Sequence, residues 1–224
     1  MTKGHNGNRP SLEAGRRFRR VAAQFATGVA VVTSVADDIP VGTTVNAFAS
    51  VSLEPTLLLV CLRNGSRSLD SIERSGTFAA TILAADQQRH AQWFANRARP
   101  TGAMTFAGIP VRRAPVTGCL LLAEGLAYFD CLVRDIFPGG DHAVVIGEVA
   151  ACDELWPREP LVFLGGRYLA TDSRGSHGRQ RLDHWVTPVG SAAGAETGDS
   201  ATGDSSSGSG LSTSATAWAV TTRR

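Results

Sequence analysis

The chain is cut into short β-branched and apolar runs that never alternate regularly with helices, and this pattern restricts its fold more than any other feature. Val29 to Val35 is mostly β-branched, Asp37-Asp38 and Pro40 interrupt it, and Val41 to Val45 resumes it. Leu57 to Leu62 is a continuous apolar run just after Pro55, the pattern of a strand buried on both faces, and Thr77 to Leu83 repeats it. Leu120 to Phe137, with a break at Glu124-Gly125, and Ala143 to Cys152 read as a strand pair joined by Pro138-Gly139-Gly140-Asp141-His142. Leu161 to Leu164 is a last short strand, and Gly165-Gly166-Arg167-Tyr168 closes the folded part. Helical spacing is confined to three stretches. Ser11 to Thr27 sets Phe18, Val21, Ala22 and Phe25 on one face, with Gly28 to end it. Ser66 caps a segment that buries Leu69 and Ile72 and stops at Gly76, and Asp86 caps another that runs to about Ala95. Many short strands with few helices argue against a doubly wound parallel sheet. They favour a mainly β fold, a closed antiparallel barrel with helices outside it.

One folded domain is expected over residues 11–173, after a flexible N-terminus at 1–10 and before a low-complexity tail at 174–224. In that tail Gly190 to Thr216 is almost entirely Gly, Ala, Ser, Thr and Asp, too poor in apolar area to offset its ordering entropy, so disorder is expected there. The net charge is only +2, and the one basic cluster, Arg16, Arg17, Arg19 and Arg20, reads as a solvated helix face. Nucleic acid is therefore not an expected partner, and no apolar stretch reaches membrane-spanning length. Cys61, Cys119, Cys131 and Cys152 form no C-x-x-C pair and the N-terminus has no secretory h-region, which points to reduced thiols in a cytoplasm. There is no G-x-G-x-x-G, no phosphate loop of the Walker type, no H-E-x-x-H, no G-x-S-x-G and no Cys/His cluster for a metal.

Three segments remain that carry unusual residues for their position. Gly42 to Ser52 alternates small, hydroxyl and amide residues where a strand should carry large apolar ones. Small side chains let a flat ligand approach the backbone, while Thr44, Asn46, Ser50 and Ser52 supply donors and acceptors; the stretch also reads as an ordinary edge strand. Arg63-Asn64-Gly65-Ser66-Arg67-Ser68 follows a buried strand and opens a helix, so its free N–H groups suit a phosphate, unless it is simply a capped helix with a surface arginine. In Gly140-Asp141-His142 the turn feeds a histidine into a strand where a bulky apolar residue is expected.

In this order the segments resemble the flavin reductase-like branch of the FMN-binding split barrels. The resemblance runs from about Phe18 to Tyr168 and includes Phe25-Ala26-Thr27-Gly28-Val29, Asn46-Ala47-Phe48, Ser50-Val51-Ser52-Leu53-Glu54-Pro55, Gly140-Asp141-His142 and Gly166-Arg167-Tyr168. It implies a six-stranded antiparallel Greek-key split barrel with flanking helices, working as a homodimer. It further implies that Thr44, Val45, Asn46, Ala47, Phe48, Ser50 and Val51 line the isoalloxazine and ribityl chain. Gly65, Ser66, Arg67 and Ser68 would hold the flavin phosphate, His142 would sit by the nicotinamide, and Phe94 would wall the pocket. The implied activity is reduction of FMN or FAD by NADH or NADPH, with the reduced flavin passed to a partner monooxygenase and no metal involved. A flavin-dependent oxidase or specialised redox enzyme on an organic substrate, and a non-catalytic flavin-binding protein, are the alternatives, because all three would share the flavin contacts.

Overall fold

Period-two alternation along one strand builds two cores at once. The computed structural model describes residues 12–171. In chain order these form α1 (Leu12–Ala22), β1 (Thr27–Gly28), β2 (Ala30–Ala36), β3 (Ile39–Val45), β4 (Phe48–Leu53), β5 (Thr56–Arg63), α2 (Arg67–Ser75), β6 (Thr77–Ile82) and α3 (Gln88–Ala95). Then come β7 (Val111–Arg113), β8 (Leu120–Leu122), β9 (Ala127–Gly139), β10 (His142–Glu154), β11 (Leu161–Leu164) and β12 (Arg167–Ala170). Ala30 and Val32 of β2 face a core with Val45, Val60, Phe78 and Val145, while Val31 of β2 and the preceding Val29 face a second core with Leu83, Ala91, Phe94 and Phe106.

Seven antiparallel strands form the main sheet in the order β3-β2-β6-β9-β10-β5-β4. This corrects the expected closed barrel of six strands: β3 and β4 are the two edges of the sheet, and no ladder joins them. The edges nevertheless approach each other. Val45 ends β3 and Phe48 starts β4, so three Cα steps, about 11 Å at most, carry the chain from one edge to the other. The sheet must curl to allow this, and Ala47 accepts a backbone bond from Cys61 of β5 at 3.1 Å at that corner.

Two helices also depart from expectation. α1 stops at Ala22 in a tight turn, Gln24 and Phe25 donating to Val21 and Ala22, and it buries no residue. Phe18, Val21 and Phe25 are 73%, 65% and 78% exposed, so this apolar face has no cover among the described residues. Asp86 does not cap α3: it lies in the 3-10 turn at Ala85–Gln87 and pairs with Arg158 at 2.7 Å, while the Gln87 side chain accepts from Ala84. α2 follows its local chemistry, with Ser66 accepting from Leu69 at 3.2 Å and a left-handed Gly76 ending the helix. The expectations for residues 1–11 and for the tail lie outside the described residues.

Candidate functional site

The curl of the sheet brings the end of β3, the end of β5 and the start of β10 to one corner, where a cavity of about 770 Å³ opens. Arg63 and His142 face each other across the β5–β10 ladder. The intervening turn is locked to the β9–β10 hairpin: Asn64 donates its backbone N–H to the Asp141 carbonyl at 3.1 Å and its side-chain amide to the Gly140 carbonyl at 3.0 Å. Gly65 takes φ +68°, a left-handed conformation that costs Gly no steric strain and aims the chain into α2.

Of the expected ligand residues, Thr44, Val45, Asn46, Ala47, Gly65, Ser66, Arg67, Ser68 and His142 line this cavity. Thr44 gives its hydroxyl to the Ala91 carbonyl of α3 at 2.7 Å, so its side chain ties two elements together. Of the first four N–H groups of α2, Leu69 is served by the Ser66 hydroxyl and Asp70 by the Ser66 carbonyl. Those of Arg67 and Ser68 have no intrahelical acceptor.

Phe94 does not line the cavity. It is fully buried in the second core, and its ring lies so close beneath Gly42 that a Cβ there would sit 2.9 Å from it. Its position is that of a strut under β3, a correction to its reading as a pocket wall. Phe48 also points away, into the first core with its ring 5.4 Å from that of Phe129. Ser50 and Val51 lie on the edge strand β4 at a bulge, exposed and outside the cavity.

His142 Nδ1 meets Asp141 Oδ1 at 2.8 Å. The bond from His142, and then its charge, hold the Asp141 carboxyl below the usual carboxylate range. Because Asp141 binds Nδ1–H, the neutral ring keeps Nε2 as an acceptor. Cys61 also lines the cavity, and burial pushes its thiol above the ordinary range, which lowers its thiolate fraction.

Sequence reasoning missed Arg19, Cys61, Leu62, Ala95, Arg97 and Arg99 as cavity residues, and named Thr43, Arg63, Asn64 and Asp141 only as members of the three unusual segments. The one available signal was Arg97-Ala98-Arg99, two cations directly after a helix and before Pro100. Among the described residues there is no group of three or more His, Cys, Asp or Glu side chains that could hold a metal.

A small-residue backbone corner, a helix N-terminus with two free N–H groups and several guanidinium groups suit a flat ligand bearing phosphate. Residues 22–172 match the family model described as the flavin reductase like domain. The chain belongs to the flavin reductase-like family.

Over 153 residues it is 41% identical to the flavin-dependent monooxygenase reductase subunit HsaB of Rhodococcus jostii (strain RHA1), covering 68% of this chain and 76% of that protein. It is 35% identical over 174 residues to an NADH-dependent FMN reductase of Streptomyces nodosus subsp. asukaensis, covering 75% and 90% of the two chains. A solved structure of a Streptomyces globisporus NADH:FAD oxidoreductase, in complex with NAD and FAD fragments, superposes with a TM-score of 0.68 at 31% identity, covering 73% of this chain and 96% of that one. This flavin reductase-like chain thus resembles reductases named for FMN and for FAD.

Proposed function

We propose that this chain is an NADH-dependent flavin reductase that supplies reduced FMN or FAD to a partner monooxygenase. The observation that carries the reading is the single cavity in which the α2 N-terminus, the β3–β4 corner and His142 face one another. When bound together, the nicotinamide and the flavin supply the hydride chemistry themselves, from nicotinamide C4 to flavin N5. The chain's part is alignment. Arg67 and Ser68, with the Ser66 hydroxyl beside them, hold the flavin phosphate at the start of α2, and Gly65 gives the backbone room to reach it. The backbone from Thr44 to Ala47 forms the surface against which a flat ring lies. His142, turned by Asp141, offers Nε2 to the nicotinamide carboxamide as a hydrogen-bond acceptor. Ser50 and Val51, outside the cavity, are assigned no ligand contact, and Phe94 acts by holding β3 in place.

An oxidase or a flavin carrier would use the same phosphate cradle. The pairing of His142 with Asp141 in the cavity lining favours the reductase, because a carrier has no use for a ring oriented beside the flavin cradle. Steady-state NADH oxidation with added riboflavin, FMN or FAD tests the reading: turnover should appear only with flavin present, and no turnover with any of them contradicts it.

We also propose a homodimer in a cytoplasmic setting. All four cysteines are free, as a reducing compartment requires, and no described helix is long and apolar enough to cross a membrane. Phe18, Val21 and Phe25 of the α1 region are exposed, as are Val51, Leu53, Leu132 and Phe137, large apolar side chains that an interface would cover. A second copy is the occupant this reading assigns. Phe18→Glu/Val21→Glu should shift a dimer toward monomer in sedimentation velocity, and a wild-type protein that is monomeric contradicts the assignment.

A further inference from the structure

The cavity carries more positive charge than one phosphate needs. α2 provides its own phosphate cradle, yet Arg97 and Arg99 stand on the facing wall, just after the Asn96 cap of α3, and Arg19 lines the cavity as well. Among the described residues, none of Arg19, Arg67, Arg97 and Arg99 has a carboxylate within ion-pair distance. The one acidic residue lining the cavity, Asp141, is bonded to His142.

Packing holds these cations together. The Arg67 guanidinium reaches the backbone carbonyls of Arg97 and Arg99 at 3.4 and 3.5 Å, bridging the cradle to the facing wall. Arg99 folds back to donate to the Asn96 carbonyl at 2.6 Å and to the Gly42 carbonyl of β3. Burial and then the charge of Arg67 lower the Arg99 pKa, so the two guanidinium groups repel each other, with no described carboxylate at ion-pair distance of either to screen the gap. A second anionic group in that gap would relieve the repulsion and find donors already in place.

We propose that Arg97 and Arg99 form a second anion subsite beside the α2 cradle, which takes the distal phosphate of a flavin dinucleotide and makes the site prefer FAD to FMN. This inference rests on the flavin reductase reading. A nicotinamide dinucleotide carries a diphosphate too, but the pair is hydrogen-bonded to the flavin-phosphate cradle and to β3, not to the β9–β10 turn that carries His142. Planar guanidinium groups suit the task because they bind phosphate oxygens in pairs.

The test is equilibrium titration of riboflavin, FMN and FAD against wild type, Arg97→Ala and Arg97→Ala/Arg99→Ala, with the KM for NADH measured on the same preparations. Arg97 is exposed, so its replacement leaves the fold intact even if the double variant proves unstable. Wild type should bind FAD about tenfold more tightly than FMN, Arg97→Ala should lower that ratio, and the double variant should bring it to about one. FMN bound as tightly as FAD by wild type, or a ratio unmoved by Arg97→Ala, overturns the subsite. A KM for NADH that rises while the ratio holds also overturns it, by assigning the arginines to the nicotinamide dinucleotide. Wild type that binds none of the three flavins brings down the flavin reading itself, whereas a ratio of one with normal flavin binding brings down only the subsite.

Discussion

Replacing His142 with Ala should lower kcat/KM for NADH by about ten- to a hundredfold while flavin affinity stays nearly constant. The ring lies at the start of β10, opposite Arg63 and outside the α2 phosphate cradle, so its loss leaves the flavin's own contacts standing. Asp141 is the positioning residue behind it, and Asp141→Asn should give a smaller loss in the same direction. The sign of the pH dependence follows from Asp141. Its carboxyl is held below the usual range, so the pair contributes above the ordinary carboxylate pKa and is lost as the pH falls through the lowered value. The Asp141 carboxylate should therefore stay available to accept from the His142 ring through neutral pH and down to the ordinary carboxylate range. Unchanged kcat/KM for NADH in His142→Ala would remove the residue from the site. Parallel loss of flavin affinity and stability would instead make it a structural side chain.

Asp130→Ala should destabilise the fold by about 3–4 kcal/mol, a drop in Tm of roughly 6–16 °C for a domain of this size. Asp130 is fully buried on β9 and accepts three bonds from the turn before β8: from the Val116 and Thr117 backbone at 2.8 and 3.2 Å, and from the Thr117 hydroxyl at 2.5 Å. Removing the carboxylate leaves all three donors without an acceptor. Thermal and urea melts measure the loss, and a Tm within a degree of wild type would show that water or a rearranged turn replaces the carboxylate at no cost.

What could be read from the sequence was what local chemistry decides. Ser66 and Gly76 bracket α2 because a hydroxyl cap and a left-handed glycine act within one turn of the chain. The break at Glu124-Gly125 was legible from the glycine itself, although its cause is tertiary: a Cβ at Gly125 would lie 2.3 Å from the Thr81 side chain of β6. The Gly140-Asp141-His142 turn did hand a histidine to the first position of β10.

Placement across the fold was less legible. Phe94 sits on a helix whose apolar residues could have faced either the cavity or β3, and only the close approach at Gly42 decides for β3. Arg97 and Arg99 are 30 and 32 residues from Arg67, and it is the packing of α3 beside β3 that sets them across from α2. The strand count failed for a related reason. Asn46-Ala47 looks like the interior of a small-residue stretch, yet it is the corner at which the chain leaves one sheet edge for the other. α1 shows the opposite case: its apolar periodicity is plain, but periodicity does not say whether the covering surface lies in the same chain.

Anaerobic mixing of the purified protein with NADH and oxidised FAD or FMN tests the central claim most directly. The visible absorbance of the flavin should bleach as NADH is consumed, one flavin per NADH, at a rate proportional to protein concentration. Flavin that stays oxidised while NADH remains unconsumed, at protein concentrations sufficient to bind the flavin, would contradict the account.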